Sequence, residues 1–150
     1  MPEADLVYLD TSALLKRYLP EANSEAFEQY LARLAPATIS RLTLLELRSG
    51  LARKRREGAI TAEHERAAAA EIRNDIQDGL LQVHPGADQH FVDAFHMIER
   101  LPDIALRTLD ALHLSIAQGM HAEELATADD TMAKAADTLN LRVAFFGKTP

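Results

Sequence analysis

Four acidic side chains stand at positions where a carboxylate has chemical consequences. Asp10 directly follows the apolar run Leu6-Val7-Tyr8-Leu9, and Asp129 follows Glu124-Leu125-Ala126-Thr127-Ala128. A short, continuous apolar run reads as a strand buried on both faces. Both acids therefore fall at the carboxyl ends of strands, where open α/β sheets bind their ligands. Each also precedes a helical pattern, and helix N-capping accounts for such an Asp equally well. Asp110 lies inside a helical pattern, with Leu106 four residues before it, Leu114 four after, and His113 and Ala117 continuing the same side. That spacing puts it on or beside the apolar stripe. A carboxylate turned toward a core must be paired or hold a metal; an ion pair with Arg107 or another arginine is the structural alternative. Glu46 interrupts Leu42-Thr43-Leu44-Leu45-Glu46-Leu47, and Ser49 and Gly50 one turn on leave room beside it. A solvated Glu at the edge of the stripe is the alternative there.

The acids matter as a set. Two carboxylates about 5 Å apart repel by roughly 3 kcal/mol at an effective dielectric near 20, so four together take up protons or attract cations. Oxygen donors in a chain without cysteine suit a hard divalent ion, Mg²⁺ or Mn²⁺. Such an ion lowers the pKa of a bound water and offsets charge on a phosphate. Spacing alone does not bring the acids together; the elements between them must.

Those elements alternate. Apolar strand patterns cover 6–9, 37–40, 80–84, 124–128 and 142–146, and helical patterns cover 13–19, 24–34, 42–56, a stretch from Thr61 to near Gly79, 88–100, 108–119 and 130–139. Pro20, Pro36, Gly58 and Pro85-Gly86 punctuate them. Short strands alternating with helices indicate an α/β fold, a parallel sheet with helices on both faces. The 150 residues fit one domain, 1–150, without repeat or linker. At 47% hydrophobic and 5% aromatic, with no Trp, the core is built from Leu, Ala, Ile and Val.

The absence of Cys rules out disulfides and thiolate metal sites and fits a reducing cytoplasm. The start, Met1-Pro2-Glu3-Ala4-Asp5, lacks the basic and apolar stretches of a signal peptide, and no apolar run is long enough to span a bilayer. A soluble, cytoplasmic protein is expected. The net charge of −7 argues against a simple nucleic-acid coat protein, whose affinity comes from neutralising phosphates. It leaves room for an enzyme with its acids gathered at a metal site.

In order along nearly the whole chain, the motifs resemble the PIN-domain family, specifically its VapC-type toxin branch. Tyr8-Leu9-Asp10-Thr11-Ser12-Ala13-Leu14-Leu15-Lys16 resembles the segment bearing the first acid, and Ile39-Ser40-Arg41-Leu42-Thr43-Leu44-Leu45-Glu46-Leu47 that of the second. Leu106-Arg107-Thr108-Leu109-Asp110-Ala111-Leu112-His113-Leu114 resembles the third, and Leu125-Ala126-Thr127-Ala128-Asp129 the fourth. The resemblance implies a PIN-like three-layer α/β/α domain with a central, mainly parallel sheet. It implies a metal-dependent endoribonuclease, acting through an activated water on an RNA phosphodiester, homodimeric and inhibited by a cognate antitoxin. Carried over, Asp10, Glu46, Asp110 and Asp129 would be catalytic and would hold Mg²⁺ or Mn²⁺. Thr11, Ser12 and Thr127 would orient the acids or contact phosphate. Asp130 adjoins Asp129, but the place of Asp129 after Thr127-Ala128 favours it. Glu123 and Glu124 fall at the wrong end of their strand.

Arg48, Arg53, Lys54, Arg55 and Arg56 form the one basic cluster. It reads as an RNA-phosphate or antitoxin contact, or as cations complementing a helix C-terminus. The histidines lack the i, i+4 spacing of a zinc helix. His84, His90 and His121 read as surface residues, and His113 as a buried residue within reach of Asp110. Two other functions compete. An aspartyl phosphotransferase would use Asp10 as nucleophile, but Ser12 stands where a second Asp is expected. A non-catalytic PIN-like RNA- or protein-binding module has no need of four acids.

Overall fold

Tyr8 points to one face of a sheet and its neighbours Val7 and Leu9 to the other, and all three are buried. This is the alternation of a strand covered on both sides. The computed structural model describes residues 5–34 and 36–148; Met1 to Ala4, part of the start read above as lacking a signal peptide, lie outside them. Five strands, β1 (Val7–Leu9), β2 (Ala37–Ser40), β3 (Leu81–His84), β4 (Glu124–Thr127) and β5 (Arg142–Phe145), form one sheet in the order β3-β2-β1-β4-β5. Every pairing is parallel.

Seven helices flank the sheet among the described residues: α1 (Thr11–Tyr18), α2 (Ser24–Arg33), α3 (Arg41–Arg56), α4 (Ala62–Gln77), α5 (Asp88–Arg100), α6 (Thr108–Gly119) and α7 (Asp130–Thr138). Val7, Leu9 and Ala126 pack with Leu14, Phe27, Leu47 and Ile72, which puts α1 to α4 on one face. Tyr8 and Leu125 pack with Met97, Leu114 and Met132, which puts α5 to α7 on the other. The result is the three-layer arrangement expected from the alternating pattern. No helix among the described residues is long and apolar enough to cross a membrane.

The topology determines where ligands can approach. The chain winds outward from β1 through β2 to β3, then returns over α5 and α6 to start again at β4, on the other side of β1. Strand order reverses between β1 and β4, and the crevice beyond their carboxyl ends is the binding position of such sheets. Asp10 and Asp129 lie at that crevice.

An ion cluster ties two helices of the first layer together. Arg17 of α1 donates to Asp75 of α4 through Nε at 2.8 Å and Nη2 at 3.1 Å, and the Tyr18 hydroxyl donates to the same carboxylate at 2.6 Å. Asp75 is buried. Burial pushes its carboxyl up, but the bonds from Arg17 and Tyr18 outweigh that and hold it below the ordinary range.

Candidate active site

Asp10 occupies the N-cap position of α1 yet makes no side-chain capping bond. Its Oδ2 instead accepts from Ser12 Oγ at 2.7 Å and Thr127 Oγ1 at 2.8 Å. The N-capping explanation therefore fails for Asp10. Ser12 in turn accepts from the backbone N–H of Ala128 at 2.9 Å, locking the start of α1 to the end of β4. Asp129 does cap: its Oδ1 accepts from the Met132 N–H at 3.0 Å, and its second oxygen faces Arg107. The exposed Asp130 begins α7, whereas Asp129 lines the pocket described below.

Glu46 is delivered by α3. Ser40 caps that helix, exchanging bonds with Thr43 in a capping box, so the second turn presents Glu46 toward α1. Glu46 Oε1 accepts from Thr11 Oγ1 at 2.8 Å and from His113 Nε2 in a short contact. Burial pushes this carboxyl up, but the bond and charge of His113 and the bond from Thr11 bring it below its usual value. Among the described residues, nothing bonds Glu46 Oε2. Glu46 and Asp10 thus each have one oxygen fixed by the protein.

Asp110 sits in the first turn of α6. Arg107 pairs with it at 3.4 Å, the ion pair weighed as the structural alternative, and also reaches Asp129 at 3.6 Å. Burial and the nearby Asp129 charge push the Asp110 carboxyl up, and Arg107 compensates only in part. All four acids line one cavity of about 440 Å³, together with Thr11, Ser12, Ser49, Gly50, Arg53 and Arg107. Ser49 and Gly50 do open space beside Glu46.

The oxygen-only donor set and the under-compensated charge at Asp110 fit a hard cation. Among the described residues, no three His, Asp or Glu side chains are arranged to ligate one ion directly.

Three readings of the sequence need correction. His113 does not bond Asp110. It is buried with Nε2 on Glu46, 3.7 Å from Asp10, and Nδ1 2.6 Å from the Tyr8 hydroxyl. Residue 113 projects back toward the sheet rather than along α6. With Glu46 ionised, Nε2–H is the donor of that contact. His90 is buried rather than on the surface: its Nδ1 accepts from the Ala87 N–H at 2.9 Å, closing the start of α5. The basic cluster is divided. Arg48 and Arg55 both donate to Glu65 of α4, at 3.1 Å and 2.7 Å, Lys54 approaches Glu57 at 4.0 Å, and Arg53 lines the acidic cavity.

The Tyr8 hydroxyl also lies 2.8 Å from Ser40 Oγ, so β1, α3 and α6 meet at one buried polar knot beneath Glu46. Tyr8→Phe removes the hydroxyl and strands its partners, at a cost of about 1–3 kcal/mol. Urea denaturation should show that loss with an unchanged slope; a loss below about 0.5 kcal/mol would mean that the knot is dispensable.

The PIN domain family model matches residues 7–138. Ribonuclease VapC46 of Mycobacterium tuberculosis is 34% identical over 139 residues, covering 91% of this chain and 95% of that protein. Among solved structures, Mycobacterium tuberculosis VapC20, described as a sarcin-ricin loop cleaving toxin, aligns at a TM-score of 0.69 and 18% identity, over 86% of this chain and 94% of its own. Rickettsia felis VapBC2, bound to a promoter DNA fragment, aligns at 0.70 and 18%, over 94% and 98%. At such identities the solved structures speak to the fold alone.

Proposed function

Because this chain belongs to the PIN-domain family and is related to a VapC ribonuclease along 91% of its length, we propose that it is a metal-dependent endoribonuclease, the toxin of a toxin-antitoxin pair. The observation that carries this reading is the convergence of Asp10, Glu46, Asp110 and Asp129 on one cavity, from the starts of α1, α6 and α7 and the second turn of α3.

Asp10, Glu46, Asp110 and Asp129 would hold Mg²⁺ or Mn²⁺, directly or through water. The ion supplies a water of lowered pKa and offsets charge building on the phosphate. Ser12 and Thr127 orient Asp10, and Thr11 and His113 orient Glu46. Arg53 at the cavity wall is the member of the basic cluster suited to an RNA phosphate. Arg48 and Arg55, engaged with Glu65, join α3 to α4. Lys54 and Arg56 lie on the same helix, toward the outside.

The partners proposed are RNA, a cognate antitoxin protein and a second copy of the chain, in the cytoplasm and away from membranes. The apolar stripe of α5, with Phe91 and Phe95 each 64% exposed, is a surface that association between copies would cover.

The test is RNA cleavage by purified, partner-free protein with Mn²⁺ or Mg²⁺, with EDTA, and with Asp10→Ala and Glu46→Gln. Cleavage should vanish in EDTA and fall by roughly 100-fold or more in each variant. Activity that persists in both variants and in EDTA would refute the carboxylate-metal mechanism.

A further inference from the structure

Arg107, which lines the cavity, is held differently from Arg48, Arg55 and Arg17. Arg48 and Arg55 are fixed to Glu65, and Arg17 to Asp75, by hydrogen bonds of 2.7 to 3.1 Å. Arg107 is held only by long contacts, 3.4 Å from Nε to Asp110 and 3.6 Å from Nη2 to Asp129, and its side chain is 79% exposed. It stands at the N-cap of α6 and reaches across the cavity mouth to the N-cap of α7. The guanidinium thus lies where a cation shared by these two carboxylates would sit. Exposed ion pairs of this kind are weak, so an entering divalent ion can displace it. Once displaced, an arginine with one end anchored at the cavity rim presents a planar, multi-donor cation to a phosphate oxygen.

We propose that Arg107 is a tethered counter-ion: it bridges Asp110 and Asp129 while no divalent ion is bound, yields that place to the ion, and then binds the RNA phosphate at the cavity mouth. The role rests on the ribonuclease reading, but its first half is measurable without RNA. Manganese binding by the ion-free protein is followed by calorimetry or by the electron-spin signal of free Mn²⁺, for wild type, Arg107→Ala and Arg107→Lys. Arg107→Ala should bind Mn²⁺ about five-fold more tightly, the scale of a removed surface ion pair. Arg107→Lys, which keeps the charge, should stay near wild type. In cleavage assays Arg107→Ala should raise KM more than it lowers kcat.

Equal or weaker Mn²⁺ binding by Arg107→Ala would overturn the counter-ion role. Tighter Mn²⁺ binding with an unchanged KM would overturn the phosphate role. Tighter Mn²⁺ binding by a protein that cuts no RNA would support the counter-ion and refute the ribonuclease reading. Failure of both proteins to bind Mn²⁺ would overturn the two together.

Discussion

Asp110→Asn should melt above wild type when divalent ions are stripped away, and should cut no RNA. In the ion-free protein the Asp110 side chain is 14% exposed and shares its cavity with Asp129. Burial and that neighbouring charge favour its neutral form. A carboxyl whose folded pKa lies above its unfolded one imposes a cost wherever it is ionised. The cost is absent below the unfolded pKa and complete above the folded one. Asparagine removes it and keeps the size of the side chain. Losing an anion in the first turn of α6 and a long contact with Arg107 works the other way, by a few tenths of a kcal/mol each. Any net gain raises Tm, by about 2–4 °C for each kcal/mol in a chain of this length. The gap between variant and wild type should close as the pH falls through the folded pKa of Asp110. It should reverse in saturating Mn²⁺, because bound ion stabilises only the protein that holds it. Scanning calorimetry in EDTA and in Mn²⁺ reads all three. A variant that melts below wild type in EDTA at pH 7 would show that the acid is already compensated.

Asp75→Ala should cause a large loss of stability, because Asp75 is buried with Tyr18. It strips the carboxylate from the Arg17 guanidinium and the Tyr18 hydroxyl at once. Breaking a buried pair by removing one partner costs about 3–5 kcal/mol. Arg17 keeps Glu28 at 2.8 Å and Glu71 at 3.8 Å, which favours the lower end, about 3 kcal/mol and about 6–12 °C in Tm. In wild type this contribution is present above the unfolded pKa of Asp75 and is lost as the pH falls through its depressed folded pKa. Unfolding in urea across the acid range checks both statements. The cluster is remote from the acidic cavity, so kcat measured well below the melting temperature should be retained. A loss under 1 kcal/mol would mean that Glu28 and Glu71 replace Asp75 fully.

Much of this was legible before the structure. The sequence bounds of 37–40, 88–100 and 108–119 coincide with β2, α5 and α6, and elsewhere the ends differ by one or two residues. Thr11 is an example: it opens α1, while the apolar pattern starts only at Ala13. The four acids were visible because each interrupts or ends an apolar stretch; strand order brings Asp10 and Asp129 together, and the packing of α3 and α6 adds Glu46 and Asp110. What escaped depends on long-range approach. Glu65, seventeen residues from Arg48 and ten from Arg55, neutralises part of the basic cluster only because α3 and α4 pack together. The reach of Arg107 to Asp129 requires α6 and α7 to meet. The Tyr8–His113 pair spans 105 residues, yet it left a trace. A tyrosine in a fully buried strand and a histidine between leucines both carry polar atoms that need partners, and one partner can be the other.

The placement of β4 beside β1 has a consequence in time. The first carboxylate, at Asp10, is fixed by a hydroxyl 117 residues further along, and Asp129 comes later still. At about 5–20 residues per second, a ribosome needs roughly 6 to 23 seconds to make that stretch. Throughout that interval the growing chain carries the first acid without the strand that orients it. A nuclease assembled in this order cannot cut RNA until β4 has been made and has paired with β1.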